Sequence, residues 1–174
     1  MFRFKCASCD EWHEGLPAFG RSAPAPYFAI PEGERATRAL LSSDQCIIDD
    51  REFYVLARLE VPVIGLDDRF TWLIWVSLSE ASYAAYELSY EWAERDHLGP
   101  FFAWIAEDLP LYPATAGLKS LIHLMNHGMR PRVELEPTGH PLAIDHAEGI
   151  SAERAAGIVT FCQHGQEGSP GTAG

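Results

Sequence analysis

No apolar stretch of this chain approaches the roughly 20 residues that cross a bilayer, and a typical run, Trp72 to Val76, is broken by Ser77. The opening Met-Phe-Arg-Phe-Lys-Cys has no apolar core and no small-residue cleavage site, which predicts no secretory leader and, by default, a cytoplasmic protein. Basic residues are also scarce. The 13 Lys and Arg stand against 25 Asp and Glu, and the net charge of −12 disfavours nucleic acid, which needs a cationic footprint. There are only four cysteines, too few for a disulfide scaffold, and a reducing compartment keeps them as thiols. None is needed as a staple, since a domain near 174 residues buries roughly 70% of its unfolded surface. A Gly-rich phosphate loop, a Gly-x-Ser-x-Gly elbow and a His-Glu-x-x-His pair are all missing, which removes the commonest nucleotide and hydrolase signatures.

The acid that is present is clustered. Between Ser79 and Asp108 seven carboxylates (Glu80, Glu87, Glu91, Glu94, Asp96, Glu107, Asp108) face Arg95 alone. From Leu109 to Val133 there is no acidic residue, while Lys119, His123, His127, Arg130 and Arg132 all occur. That segment is the one place where an anion would be welcome. Arg130 and Arg132 project to the same side of an extended chain, and with Lys119 and His140 they form a candidate site for a small anionic ligand. Pairing with Glu134, Glu136 or the acidic helix is the alternative use of the same charges.

Periodicity predicts an α+β fold, a single domain over residues 1–164 with a largely antiparallel sheet and about three helices. Phe2 to Lys5 reads as a strand, Gly20 to Pro26 as an extended loop, and Pro31 as the start of a helix. Phe53 to Ile64 alternates Phe53, Val55, Ala57, Leu59, Val61 and Val63 on one face, and Phe70 to Leu78 answers it across a turn. Ser79 caps a helix to about Arg95 whose Ala81, Ala85, Leu88 and Trp92 share a face. Strands are expected at Pro100 to Ile105, Gly117 to Met125 and Arg132 to Glu136, and helices at Pro141 to His146 and from Ser151 to about Gln163. The tail from 165 to 174 has the composition of a disordered segment.

The densest chemistry is near the N-terminus, where Cys6-x2-Cys9-x3-His13 places three soft ligands in one loop. Zinc takes four protein ligands in a structural site and three plus water in a catalytic one. Cys46, His140 and His146 are the candidates for the fourth, and Cys46 is favoured because Cys3His is a common closed set. An open fourth position would instead suit a zinc-dependent enzyme assisted by the late histidines. Redox chemistry at the pair is disfavoured, since Asp10, Glu11 and Glu14 would raise a thiol pKa. Cys162 reads as a packed helix residue, and His140, Asp145 and His146 as capping or loop-pinning groups with proton shuttling as the alternative.

Several strings together carry a family resemblance: Cys6-x2-Cys9-x3-His13 with Gly15-Leu-Pro17, Ser43-Asp44-x-Cys46-x-Ile48-Asp49, Val61-Pro62-Val63, Trp72-x2-Trp75-Val-Ser-Leu-Ser79, and Gly128-x-Arg130-Pro131 through Leu135-Glu-Pro-Thr138-x-His140-Pro-Leu-Ala143 to Gly149-Ile-Ser151. From about Phe4 to Ile158 the chain resembles DUF2199, a bacterial domain family of unknown function. The resemblance implies an uncharacterised prokaryotic domain and no particular activity. This chain departs from the family pattern at Asp10 and Leu73, where glycine is usual, and an Asp in a turn built for glycine implies weaker metal affinity. The expected role is a binding or regulatory module with a structural zinc site, its partner an unidentified protein or small anion, with neither nucleic acid nor membrane involved.

Overall fold

The computed structural model describes residues 1–165, so all but the first residue of the predicted tail lies outside the described residues. β1 (Arg3–Lys5) and β2 (Trp12–Glu14) form a separate antiparallel hairpin around the cysteine loop. β3 (Phe19–Gly20), α1 (Ala25–Ala29), a 3-10 turn (Glu32–Glu34), α2 (Arg35–Arg38), β4 (Ala39–Leu41) and β5 (Gln45–Ile48) follow. The central strands are β6 (Glu52–Pro62) and β7 (Arg69–Leu78), then α3 (Glu80–Leu88), β8 (Phe101–Ile105), β9 (Lys119–His123) and β10 (Arg132–Leu135). α4 (Pro141–Glu148) and α5 (Ala152–His164) complete the described chain.

The sheet is not an open antiparallel one. β6 to β10 run as a meander, and β10 returns beside β6 with Arg132 opposite Arg58, closing a five-stranded barrel. A meander with an odd number of strands brings its first and last strands together in the same direction, so the closing pair is parallel. β3 adds to β7 in parallel, and β5 and β4 extend from the other end of β6. The predicted alternation is borne out in the barrel interior: Val55, Ala57, Leu59 and Val61 from β6, with Val63 just after it, join Phe70, Trp72, Ile74 and Val76 from β7 in one core, all buried. A second cluster forms on the outside of these strands from Ile30, Cys46, Ile48, Tyr54, Leu56 and Trp75, because β5 and the α1–α2 segment cover that face.

Among the described residues five α-helices replace the expected three or so. α1 begins in the last two residues of the stretch read as a loop and runs on to Ala29, and Pro31 opens a 3-10 turn before α2 gives way to β4 after four residues. α3 is capped by Ser79, whose hydroxyl accepts from Ser82 N–H, but it stops at Leu88. The Ser89 hydroxyl donates back to the Ala85 carbonyl at 2.7 Å, the local competition that ends helices. Its core face is also different: Tyr83 and Tyr86 are buried while Leu88 and Trp92 are exposed. Tyr83 stacks on Phe53 at 5.1 Å, so the aromatic rings decided which face turned inward.

Candidate metal centre

β1 and β2 pair with Phe4 opposite His13 and Lys5 opposite Trp12, so the hairpin holds His13 beside the point where Cys6 leaves β1. His13 stacks on Phe4 at 5.5 Å between ring centres. The loop between is tied by Cys6 N–H to the Glu11 carbonyl at 2.8 Å and Asp10 N–H to the Cys6 carbonyl at 3.1 Å. Across this hairpin lies the last turn of α5. The Ser151 hydroxyl caps that helix by accepting from Arg154 N–H at 3.1 Å, and Thr160 and His164 fall one turn apart on one face. Thr160 Oγ1 lies 3.7 Å from Cys6 Sγ, and the His164 ring meets the His13 ring edge-on at 5.6 Å.

The result is a four-donor cluster. One ligand atom each from Cys6, Cys9, His13 and His164 lies within 4.8 Å of every other, and Cys9 Sγ is 3.2 Å from His13 Nε2. Zn–S bonds of about 2.3 Å and Zn–N bonds of about 2.0–2.1 Å put the corners of a tetrahedron roughly 3.3–3.8 Å apart, so adjustments of about 1 Å close the set on an ion. His164 Nε2 is buried with no hydrogen-bond partner, which is costly in a neutral interior and is relieved by a metal. Burial opposes ionisation of Cys6, but the N–H groups of Cys9 and Ser8 and the Thr160 hydroxyl pull its thiol down to about 6. For Cys6 the expected rise from the acidic neighbours does not occur, because the turn aims its own N–H groups at the sulfur. Cys9 is pushed up: the Glu11 N–H works in the opposite direction, but desolvation, the neighbouring Cys6 and, as expected from the sequence, the Glu11 charge outweigh it.

His164, not Cys46, stands beside the trio. Cys46 is fully buried in the second cluster on the outside of β6 and β7, with its thiol pushed up to about 11 by burial. The sequence pattern ends the last helix at about Gln163, one residue short of His164, and a lone histidine at a helix terminus has no ligand spacing of its own. The other late histidines hold backbone. His140 Nδ1 accepts from Leu142 N–H at 3.1 Å as the cap of α4, and its Nε2 lies 3.1 Å from the Ala114 carbonyl. His146 Nδ1 lies 2.9 Å from the Glu60 carbonyl. Asp145, buried, accepts from Tyr112 and Arg154. Cys162 is half-buried, and burial raises its thiol to about 11.

The candidate anion site is not gathered. Arg130 Nε donates to Asp44 at 2.6 Å, Lys119 Nζ lies 5.8 Å over the Trp104 ring, and His140 is committed to its cap. Arg132 is exposed on β10, and Glu134 is engaged 2.6 Å from His123.

Asp10 occupies the left-handed region at φ 58, the conformation its position demands. Asp10→Gly should therefore raise stability by about 1 kcal/mol, read as a higher urea midpoint. The 2.7 Å Lys5–Asp10 ion pair, exposed at both ends, is worth less than that strain; a lower midpoint in the variant would reverse this ranking.

No curated protein and no solved structure matches the chain. Residues 5–150 match the family described as an uncharacterised protein conserved in bacteria; the match takes in Cys6, Cys9 and His13 and stops short of α5. With the cysteine loop, the barrel strands and α4 all inside the matched residues, the chain belongs to the DUF2199 family.

Proposed function

We propose that this protein is a binding module whose N-terminal hairpin and last helix are joined by a structural zinc ion on Cys6, Cys9, His13 and His164. The four-donor cluster carries this reading. Four protein ligands saturate tetrahedral zinc and leave no position for water or substrate, which weighs against the metal-dependent enzyme. Zinc in such a set supplies a cross-link and no reaction chemistry. The chain's own residues position it: Phe4 packs the His13 ring, Ser8 N–H donates to Cys6 Sγ at 3.4 Å, and α5 presents His164. No helix among the described residues is long and apolar enough to cross a membrane. The net charge of −12 argues for a partner other than nucleic acid.

Untagged protein purified without chelator should contain about one equivalent of zinc by elemental analysis. Stripping it should lower the melting temperature by about 10 °C, since free zinc a thousandfold above Kd is worth about 4 kcal/mol and each kcal/mol shifts a domain of this size by about 2–4 °C. Protein that is metal-free, takes up no added zinc and melts unchanged would end the proposal. Cobalt substitution separates the two readings of the site: a closed set gives a tetrahedral visible spectrum indifferent to added anions, whereas an open set responds to them.

A further inference from the structure

A cavity of about 420 Å³, lined by none of the four metal-site residues, opens between β3, the loop after β8 and α5. Its body is apolar, with Phe19, Trp72, Leu109 and Phe161 on the walls, and two opposite charges, Arg21 and Glu107, also line it. Glu107 is almost fully buried, an expensive place for a carboxylate, and burial pushes it up to about 7 against the pull of the Trp75 N–H and Arg21.

One residue holds the Glu107 carboxylate and the Arg21 backbone. The Trp75 backbone N–H donates to Glu107 Oε1 at 2.8 Å, and its indole Nε1 donates to the Arg21 carbonyl at 3.0 Å. Trp75 is itself fully buried, so both bonds are held in place, while the Arg21 guanidinium extends from its tethered backbone and lies 5.5 Å from the Phe28 ring centre. Gly20 completes the frame, because a Cβ there would lie 2.4 Å from the Leu73 carbonyl and force β3 off β7. The second oxygen of Glu107 has no hydrogen bond among the described residues, and Arg21 makes no ion pair among them. Asp108, also on the wall, accepts from the N–H groups of Thr115 and Ala116 through Oδ1 alone.

We propose that this cavity binds a small zwitterion with an apolar side group, of the size and chemistry of a free aromatic amino acid, its ammonium on Glu107 and its carboxylate on Arg21. An apolar-lined pocket of a few hundred Å³ with a few fixed polar groups is the usual form of a small-molecule site. A purely cationic guest would face the Arg21 charge, and a purely anionic one would face Glu107 and Asp108. Only a guest carrying both signs answers both walls.

The probes are L-phenylalanine, phenethylamine and 3-phenylpropionate, titrated by calorimetry into zinc-replete protein. L-Phenylalanine should bind saturably below about 10 mM and at least about tenfold more tightly than either single-charge analogue. Glu107→Gln, whose amide oxygen can still accept from Trp75, should weaken it by about tenfold or more, as should Arg21→Gln at an exposed position where folding is not at stake. No saturable binding of L-phenylalanine, equal binding of phenethylamine, or indifference to both substitutions would each overturn the proposal. Zinc content, measured on the same samples, reports on the metal centre independently.

Discussion

His164→Ala will reduce zinc affinity by about a hundredfold or more while Cys46→Ser leaves it unchanged. Structural zinc contributes roughly 10–16 kcal/mol through four ligands in small zinc peptides, so one ligand is worth about 3 kcal/mol, and 1.4 kcal/mol is a factor of ten. His164 is chosen over His13 because, among the described residues, its Nε2 is buried without a partner and its ring meets that of His13. Competition with a colorimetric chelator measures the affinity directly. Equal metal binding by wild type and His164→Ala would remove α5 from the site and reduce it to three ligands, which restores the open-position enzyme as the better reading. Cys46→Ser serves as the control for general damage, since its thiol packs among Ile48, Tyr54 and Trp75 on the far face of the strands and any loss there is one of packing.

Why that fourth ligand was illegible in the sequence, while the first three were plain, is a matter of range. Cys6, Cys9 and His13 sit in one hairpin, and local geometry alone brings them together. His164 arrives from the far end of the chain, and only the packing of α5 through Ala155, Ile158 and Val159 onto the barrel core decides which residue of its last turn faces the hairpin. The same division runs through the fold. β6 and β7 were readable because period-two alternation buries one face completely, whereas barrel closure depends on β10 finding β6, a non-local parallel pairing with no signature in either strand. Glu107 is one of seven carboxylates in an acidic segment, and nothing near it in sequence says that its side chain will be buried and accept from the Trp75 N–H.

Arg95 is the strongest case of a charge misjudged by its neighbourhood, and replacing it should cost about 2–4 kcal/mol. Surrounded in sequence by glutamates and aspartate, it would be expected in water, yet it is fully buried. Its Nε donates to the Met125 carbonyl at 2.7 Å and its Nη2 to the Met129 carbonyl at 2.9 Å, while its backbone N–H donates to Asn126 Oδ1 at 2.7 Å. The guanidinium also lies 5.2 Å from the Tyr86 ring centre and 5.5 Å from that of Tyr90. It thus ties the segment after α3 to the turn that leads into β10, the strand that closes the barrel. Arg95→Met keeps the bulk but leaves two carbonyls without donors, each worth roughly 1–3 kcal/mol when buried. Arg95→Lys should lose nearly as much, because a single ammonium cannot span both carbonyls as a planar fork does. The measurement is a urea midpoint at unchanged slope. A loss below about 0.5 kcal/mol would show that the two segments hold without the guanidinium, and a gain would show that its buried charge, one nitrogen of which has no partner, costs more than its bonds contribute.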